Sequence, residues 1–155
     1  MKASDLGRVG EDITAEEYRR RGYKIIGRNV RLTAYKQLGE LDLIAQRGDG
    51  LVFVEVKART TGDFMAPEES VGFRKQGRLL KAIKAYIGSH PEYQKFNARV
   101  DVAIVQPALN PHTQFKLDPE GKSSKLNQAK GGLGVGVDGK LYSVNILEDV
   151  IQDST

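Results

Sequence analysis

The chain has 155 residues, 39% of them hydrophobic and 28% charged, which predicts one globular domain and excludes a wholly disordered or fibrous chain. It has no cysteine, which excludes disulfide scaffolds, thiolate zinc sites and cysteine nucleophiles, and its 24 basic and 20 acidic residues leave a net charge of +4. No apolar run reaches the roughly 18 residues of a transmembrane helix, so we expect a cytoplasmic protein without a membrane partner.

The hydrophobic pattern predicts two helices and five strands, in the order αβββαβ followed by a final strand. The predicted helices cover residues 4–21 and 70–87, and the predicted strands cover residues 23–31, 41–46, 51–58, 99–105 and 140–147. Apolar residues recur at helical spacing in both helices, as at Leu79, Ile83 and Ile87. Glycines at 48 and 50 indicate a hairpin between the second and third strands. This order predicts an α/β fold with a central mixed sheet flanked by helices.

Residues 107–139 are rich in Gly, Pro, Asn, Ser and Lys and show neither helical nor strand periodicity. We expect a flexible loop here, with a short strand near residues 113–117 as the alternative. The glycine run at 131–136 resembles a phosphate-binding loop, but no strand pattern precedes it and no helix pattern follows it. We therefore assign this run to the flexible loop.

Charged residues interrupt the apolar hairpin. Alternation in the third strand places Val52, Val54, Val56 and Ala58 on one face and Phe53, Glu55, Lys57 and Arg59 on the other. In the second strand, it places Leu41, Leu43 and Ala45 opposite to Glu40, Asp42 and Ile44. A two-residue hairpin loop would set Asp42 opposite either Glu55 or Lys57, depending on which residues turn. A regular three-residue loop would scatter these charges unless a bulge restored the register.

Two carboxylates in an apolar hairpin need a compensating charge, because burying an unpaired ion costs several kcal/mol. Mg²⁺ or Mn²⁺ would supply it, with oxygen ligands from Asp42, Glu55 and the Val56 carbonyl. Lys57 would position or activate a water, or stabilise charge on a scissile phosphate. Glu40 is either a further metal ligand or a surface residue at the end of the strand. The alternative for the whole group is a cross-strand ion pair on an exposed face.

Basic residues occur in two clusters that could follow a phosphate backbone. The candidate nucleic-acid contacts are Arg19, Arg20, Arg21, Arg59, Arg74, Lys75 and Arg78. The alternative is that these side chains form solvated faces of the helices.

The motifs together resemble the YraN-like family of small bacterial proteins, within the restriction-endonuclease-like PD-(D/E)xK nucleases. The resemblance is carried by LGRVGE at 6–11, Tyr18, Gly22, Tyr23, Asn29, GELDLIA at 39–45, FVEVKAR at 53–59, Pro67, RKQ at 74–76 and RVDV at 99–102. A bare E-x-K motif carries little information, whereas GELDLIA followed by FVEVKAR is specific. The implied fold is a restriction-endonuclease-like core, similar to archaeal Holliday-junction resolvases.

In residue terms, the resemblance implies a metal site formed by Glu11, Asp42, Glu55 and Lys57, approached by Gln76 from the second helix. It also implies hydrolysis of phosphodiester bonds in DNA, with branched or otherwise structured DNA among the expected substrates. The sequence leaves open a homodimer that would address two strands. A solvated helix face is the alternative for Gln76, and a strand-end salt bridge is the preferred interpretation of Arg99 and Asp101. The alternative function is a nucleic-acid-binding module that keeps the nuclease fold with weak catalysis or none, and a third possibility is a scaffold.

Overall fold

The computed structural model describes residues 3–33, 37–59, 73–108 and 130–151. Its elements are α1 (Ala3–Arg20), β1 (Lys24–Thr33), β2 (Gln37–Arg47), β3 (Gly50–Ala58), α2 (Phe73–Ser89), a short 3-10 helix (Pro91–Tyr93), β4 (Asn97–Pro107), β5 (Lys130–Val135) and β6 (Leu141–Leu147). Both predicted helices and all five predicted strands are present with shifted ends. Strand β5 was not predicted.

The strands form one six-stranded sheet in the order β1-β2-β3-β4-β6-β5. Strands β3 and β4 are parallel, because α2 connects them, and the other neighbouring pairs are antiparallel. The sheet is therefore mixed, as the order of elements predicted. Each helix packs against its own cluster of buried apolar residues on the sheet.

Helix α1 lies close to the sheet because a glycine faces β3. A Cβ atom added at Gly10 would lie 3.0 Å from the Ala58 Cβ and 3.3 Å from the Val56 Cγ1. The predicted apolar residues of this helix, including Val9 and Ile13, are buried beside it. Such a close approach carries residue 11 toward the strands that hold the other predicted site residues.

The hairpin between β2 and β3 has a two-residue loop. Arg47 pairs with Gly50, which leaves Gly48 and Asp49 to turn, and Gly48 has the positive φ of 58° that such a loop favours. The register then runs to the pair Leu43 and Val54. Continued by one residue, this register places Asp42 opposite Glu55, the first of the two predicted alternatives.

The predicted faces of β3 agree with the structure, but those of β2 do not. Leu43 and Ala45 both pack in the cluster beneath α1, so they share a face as predicted. Leu41 instead packs with Ile44 in the cluster beneath α2. The prediction that Leu41 shares a face with Leu43 is therefore wrong. Regular alternation breaks at Asp42, between the two leucines.

The glycine run assigned to the predicted 107–139 loop forms β5 in its first part. Glycines alternate along it because α1 leaves no room for side chains on that face: a Cβ at Gly134 would lie 2.9 Å from the Ile13 Cγ2. Leu133 and Val135 project to the opposite face and are exposed. The alternative strand at 113–117 lies outside the described residues.

Candidate active site

The sheet forks where Asp42 and Glu55 lie. Pairing between β2 and β3 extends only to Leu43 and Val54. Beyond that point, β2 continues to pair with β1, and β3 continues to pair with β4. Asp42 and Glu55 are thus the first residues after the two strands part, and their positions follow directly from the hairpin register.

The Asp42 carboxylate occupies the fork. Its Oδ2 accepts a hydrogen bond of 2.9 Å from the backbone N–H of Val56. If the ladder had continued, this N–H would have faced the backbone of residue 41. A strand residue directs its N–H and its C=O to the same neighbour, so the Val56 carbonyl also points toward the fork.

Glu55 and Lys57 lie on one face of β3, two residues apart. Glu55 is buried, with 7% of its surface exposed. The Lys57 Nζ lies 3.5 Å from the Glu55 Oε1, and the lysine side chain keeps 24% of its surface exposed. The lysine therefore compensates the glutamate on one side and remains accessible to a ligand on the other.

Burial and neighbouring negative charge make Asp42 hard to ionise. Burial, followed by the negative charges of Glu55 and Glu11, raises the pKa of Asp42 to about 7, although the Val56 hydrogen bond acts in the opposite direction. A carboxyl group becomes harder to ionise when it lies beside other carboxylates in a poorly solvated place. A bound cation would relieve this repulsion.

Glu11 reaches the same region from α1. Its Oε2 accepts a hydrogen bond of 3.1 Å from the Asn29 Nδ2, and the Arg28 Nη2 lies 3.9 Å away. Its charge contributes to the raised pKa of Asp42, which places it within electrostatic reach of the fork. The structure thus brings Asp42, Glu55 and Lys57 together, with Glu11 nearby.

The donor set at the fork suits a hard divalent cation. Within the described parts of the chain, no group of three or more His, Cys, Asp or Glu side chains is placed to hold a metal by itself. Mg²⁺ does not require one, because it commonly takes one or two carboxylates and keeps several waters. Asp42, Glu55 and the Val56 carbonyl provide such a set of oxygen atoms.

The remaining predicted residues of the site are Glu40, Gln76 and Arg59. Glu40 is exposed, and its Oε2 lies 4.0 Å from the Arg31 Nε on β1, a contact that fits the surface alternative. Gln76 is half-buried in the first part of α2. Arg59 follows β3, and its backbone N–H donates to the Val105 carbonyl at 2.8 Å. Their roles in the site stay predictions.

The first basic cluster is compensated by acids that are distant in sequence or lie on the same helix. Arg21 lies near Glu17 and Glu148, and Arg20 contacts Glu17 and the Leu133 carbonyl. Arg19 pairs with Glu16. These arginines occupy the end of α1, roughly 12 to 15 Å along the helix from Glu11, so phosphate contacts there would be remote from the fork.

The second basic cluster lies on α2. Arg78 is exposed. Arg74 and Lys75 belong to the first turn of the helix, but their side chains lie outside the described residues. Phosphate binding by both basic clusters stays a prediction.

Asp101 forms the centre of a buried network, as the salt-bridge interpretation predicted. Arg99 donates to both of its carboxylate oxygens, at 3.0 and 3.2 Å, and the Tyr18 hydroxyl donates to Oδ2 at 2.7 Å. The backbone N–H of Asp149 also donates to the Asp101 Oδ1, at 3.0 Å. Because Tyr18 belongs to α1 and Asp101 to β4, the network fixes the helix against the sheet.

Asn29 contacts the site, but sequence reasoning assigned no role to it. One signal was available: asparagine is depleted in strands and tolerates the left-handed backbone region. Its φ of 50° shows that it adopts this region within β1.

The fold and this group of side chains define a mixed α/β domain with a carboxylate pair and a lysine at a fork in its sheet. The profile described as "Uncharacterised protein family UPF0102" matches residues 10–105, and the chain belongs to this family. The resemblance to YraN-like proteins is thereby confirmed. The charged residues at the fork, Glu11, Asp42, Glu55 and Lys57, all lie within the matched residues.

Curated relatives support the same assignment. A UPF0102 protein of Caldanaerobacter subterraneus subsp. tengcongensis is 40% identical over 106 residues, covering 68% of this chain and 81% of the relative. A UPF0102 protein of Dictyoglomus thermophilum is 41% identical over 106 residues, covering 68% and 85%. One from Dictyoglomus turgidum is 42% identical over 87 residues, covering 56% and 70%.

Neither helix, over the residues that the structure describes, combines the length and apolar character needed to cross a membrane.

Proposed function

We propose that the protein is a metal-dependent nuclease that hydrolyses phosphodiester bonds in DNA, with Mg²⁺ or Mn²⁺ held at the fork. One observation carries this proposal: Asp42 and Glu55 meet where β2 and β3 part, with the Lys57 ammonium 3.5 Å from the Glu55 carboxylate. The resemblance to restriction-endonuclease-like nucleases supports the same chemistry. Branched or otherwise structured DNA is the substrate class that this resemblance favours.

The residues at the fork have different proposed roles in hydrolysis. Asp42 and Glu55 would hold the cation together with the Val56 carbonyl, and Val56 fixes the aspartate through its N–H. When bound, such an ion lowers the pKa of a water ligand and offsets charge on the scissile phosphate. Lys57, partly exposed beside Glu55, would orient the attacking water and donate hydrogen bonds to the phosphate oxygens.

The position of the fork is consistent with a large polymeric substrate. Lys57 lies one residue before the end of β3 at Ala58, and Arg59 follows the strand directly. A phosphodiester backbone approaching this end would meet basic groups before it met the carboxylates. Such contacts predict binding that weakens as salt is added.

A cleavage assay tests the proposal. Labelled duplex, flap and four-way DNA are incubated with the protein and Mn²⁺, and products are resolved by length. D42N and E55Q remove one charge each with little change in shape, and we expect each to reduce the rate by at least about 100-fold because each replaces a charged metal ligand with a neutral, weaker one. E92Q, at an exposed acid of the 3-10 helix, serves as the matched control and should cleave as the wild type does.

The outcomes separate the two candidate functions. Cleavage by the wild type and by E92Q, but not by D42N, supports the nuclease. DNA binding without products from any substrate would favour the non-catalytic binding module instead. Equal cleavage by D42N and the wild type would refute the site.

A further inference from the structure

Asn29 has a backbone conformation that few non-glycine residues adopt. Its φ of 50° lies in the left-handed region, although the residue belongs to β1. Asparagine reaches this region more readily than most residues because its short side chain can form local hydrogen bonds. Residues held in sparsely populated regions collect at functional sites, where the surrounding structure maintains them.

Near Asn29, the side chains of β1 and β2 switch from the side of the sheet covered by α1 to the side covered by α2. Arg28 donates a hydrogen bond to an acid of α1, whereas Val30, two residues later, packs in the cluster beneath α2. Their partners in β2 behave alike: Leu43 packs beneath α1 and Leu41 beneath α2. Residues two apart in a regular strand share a face, so the left-handed turn at Asn29 accompanies the reversal.

The reversal lies opposite Asp42. Arg28 pairs with Leu43 and Val30 pairs with Leu41, so the register between these two pairs sets Asn29 opposite Asp42. The carboxylate at the fork and the left-handed residue therefore belong to one local distortion of two adjacent strands.

The Asn29 side chain connects this distortion to α1. Its Nδ2 donates a hydrogen bond of 3.1 Å to the Glu11 Oε2. Arg28 is less suited to hold Glu11, because its Nη2 lies 3.9 Å from Glu11 and 2.6 Å from the Asp12 Oδ1. A neutral amide can fix the direction of a carboxylate without cancelling the negative charge that a cation site uses.

We propose that Asn29 is a positioning residue of the fork: its left-handed backbone and its side-chain amide hold the Glu11 carboxylate beside Asp42. This inference rests on the proposed function, in which Glu11 supports the bound cation from α1. Outer partners of metal sites commonly change affinity or rate by about 10- to 100-fold when they are removed. Asn29 should act through Glu11 alone.

The decisive variant is N29G, because glycine keeps the left-handed backbone while removing the amide. We expect N29G to melt within a few degrees of the wild type and to cleave DNA about 10-fold more slowly at saturating Mn²⁺. N97A is the matched control. Asn97 also donates to an acid, Asp49, but it does so at the far end of the hairpin, and its loss should leave the rate unchanged.

A double-mutant cycle with E11Q gives the readout that a merely structural role would not produce. If Asn29 acts through Glu11, N29G in the E11Q background should cause no further loss of rate. Independent losses that multiply would overturn the inference, as would a wild-type rate for N29G or for E11Q. An inactive wild-type protein would instead refute the proposed function, and the inference would fall with it.

Discussion

Removing the Asp42 charge should stabilise the metal-free protein at neutral pH. Burial and the charges of Glu55 and Glu11 raise the pKa of Asp42 from 3.8 to about 7. The folded state therefore holds a proton at Asp42 between about pH 4 and pH 7 that the unfolded chain releases. Because the folded state binds more protons in this window, the free energy of unfolding decreases as the pH rises through it.

The size of this effect follows from the pKa change. One pKa unit corresponds to about 1.4 kcal/mol, so a rise of about three units sets an upper limit of about 4 kcal/mol. Asp42 is only half-buried, and relaxation toward water will reduce the effect, so we expect about 1 to 3 kcal/mol. The neutral amide of D42N does not ionise, so the variant does not lose this free energy of unfolding as the pH rises.

Urea denaturation of the wild type and D42N, repeated from pH 4.5 to pH 8 with EDTA present, measures the effect. We expect D42N to become progressively more stable than the wild type as the pH rises toward neutrality. E92Q, at an exposed acid, controls for the loss of one negative charge. A constant difference between D42N and the wild type across this range would refute the electrostatic reasoning.

Three further outcomes are expected. K57M should abolish cleavage but keep Mn²⁺ binding in calorimetry, because Lys57 is not a ligand; loss of both would contradict the assigned role. G134V should lower the melting temperature by several degrees, since its Cβ would meet Ile13 at 2.9 Å, and an unchanged value would refute the packing of β5 against α1. D101N should cost about 3 kcal/mol in urea denaturation because it replaces a buried carboxylate oxygen that accepts hydrogen bonds with an amide NH2 group that cannot accept them; a change below 1 kcal/mol would show that the network is not stabilising.

Local signals were sufficient for most of the fold. Apolar spacing located both helices, and the hairpin register followed once two residues were known to turn. The sequence narrowed the partner of Asp42 to Glu55 or Lys57, and the turn at Gly48 and Asp49 in the structure selects Glu55.

The missed features depend on contacts between distant segments. Strand β5 looks like a loop in sequence because its glycines lack side chains, but α1 requires glycine on that face, as at Gly134 against Ile13. The reversal of faces at Asp42 coincides with the left-handed residue at 29 on another strand. Alternation rules applied to one strand at a time cannot reveal either feature.

The basic cluster at the end of α1 shows the same limit. No acid occurs between residues 19 and 36, which suggested a surface available to phosphates. Folding brings Glu148 to Arg21 and Arg99, and Glu17 lies one helical turn away. Charge counted along a sequence segment therefore overestimates the charge available to a ligand.

Anomalous diffraction from crystals grown with Mn²⁺ would show whether Asp42 and Glu55 bind a metal ion together. We expect a peak at the fork between β2 and β3, within bonding distance of a carboxylate oxygen of Asp42 and one of Glu55, and no such peak in crystals of D42N. Manganese bound elsewhere, with the fork empty in the wild type at saturating concentration, would contradict this expectation.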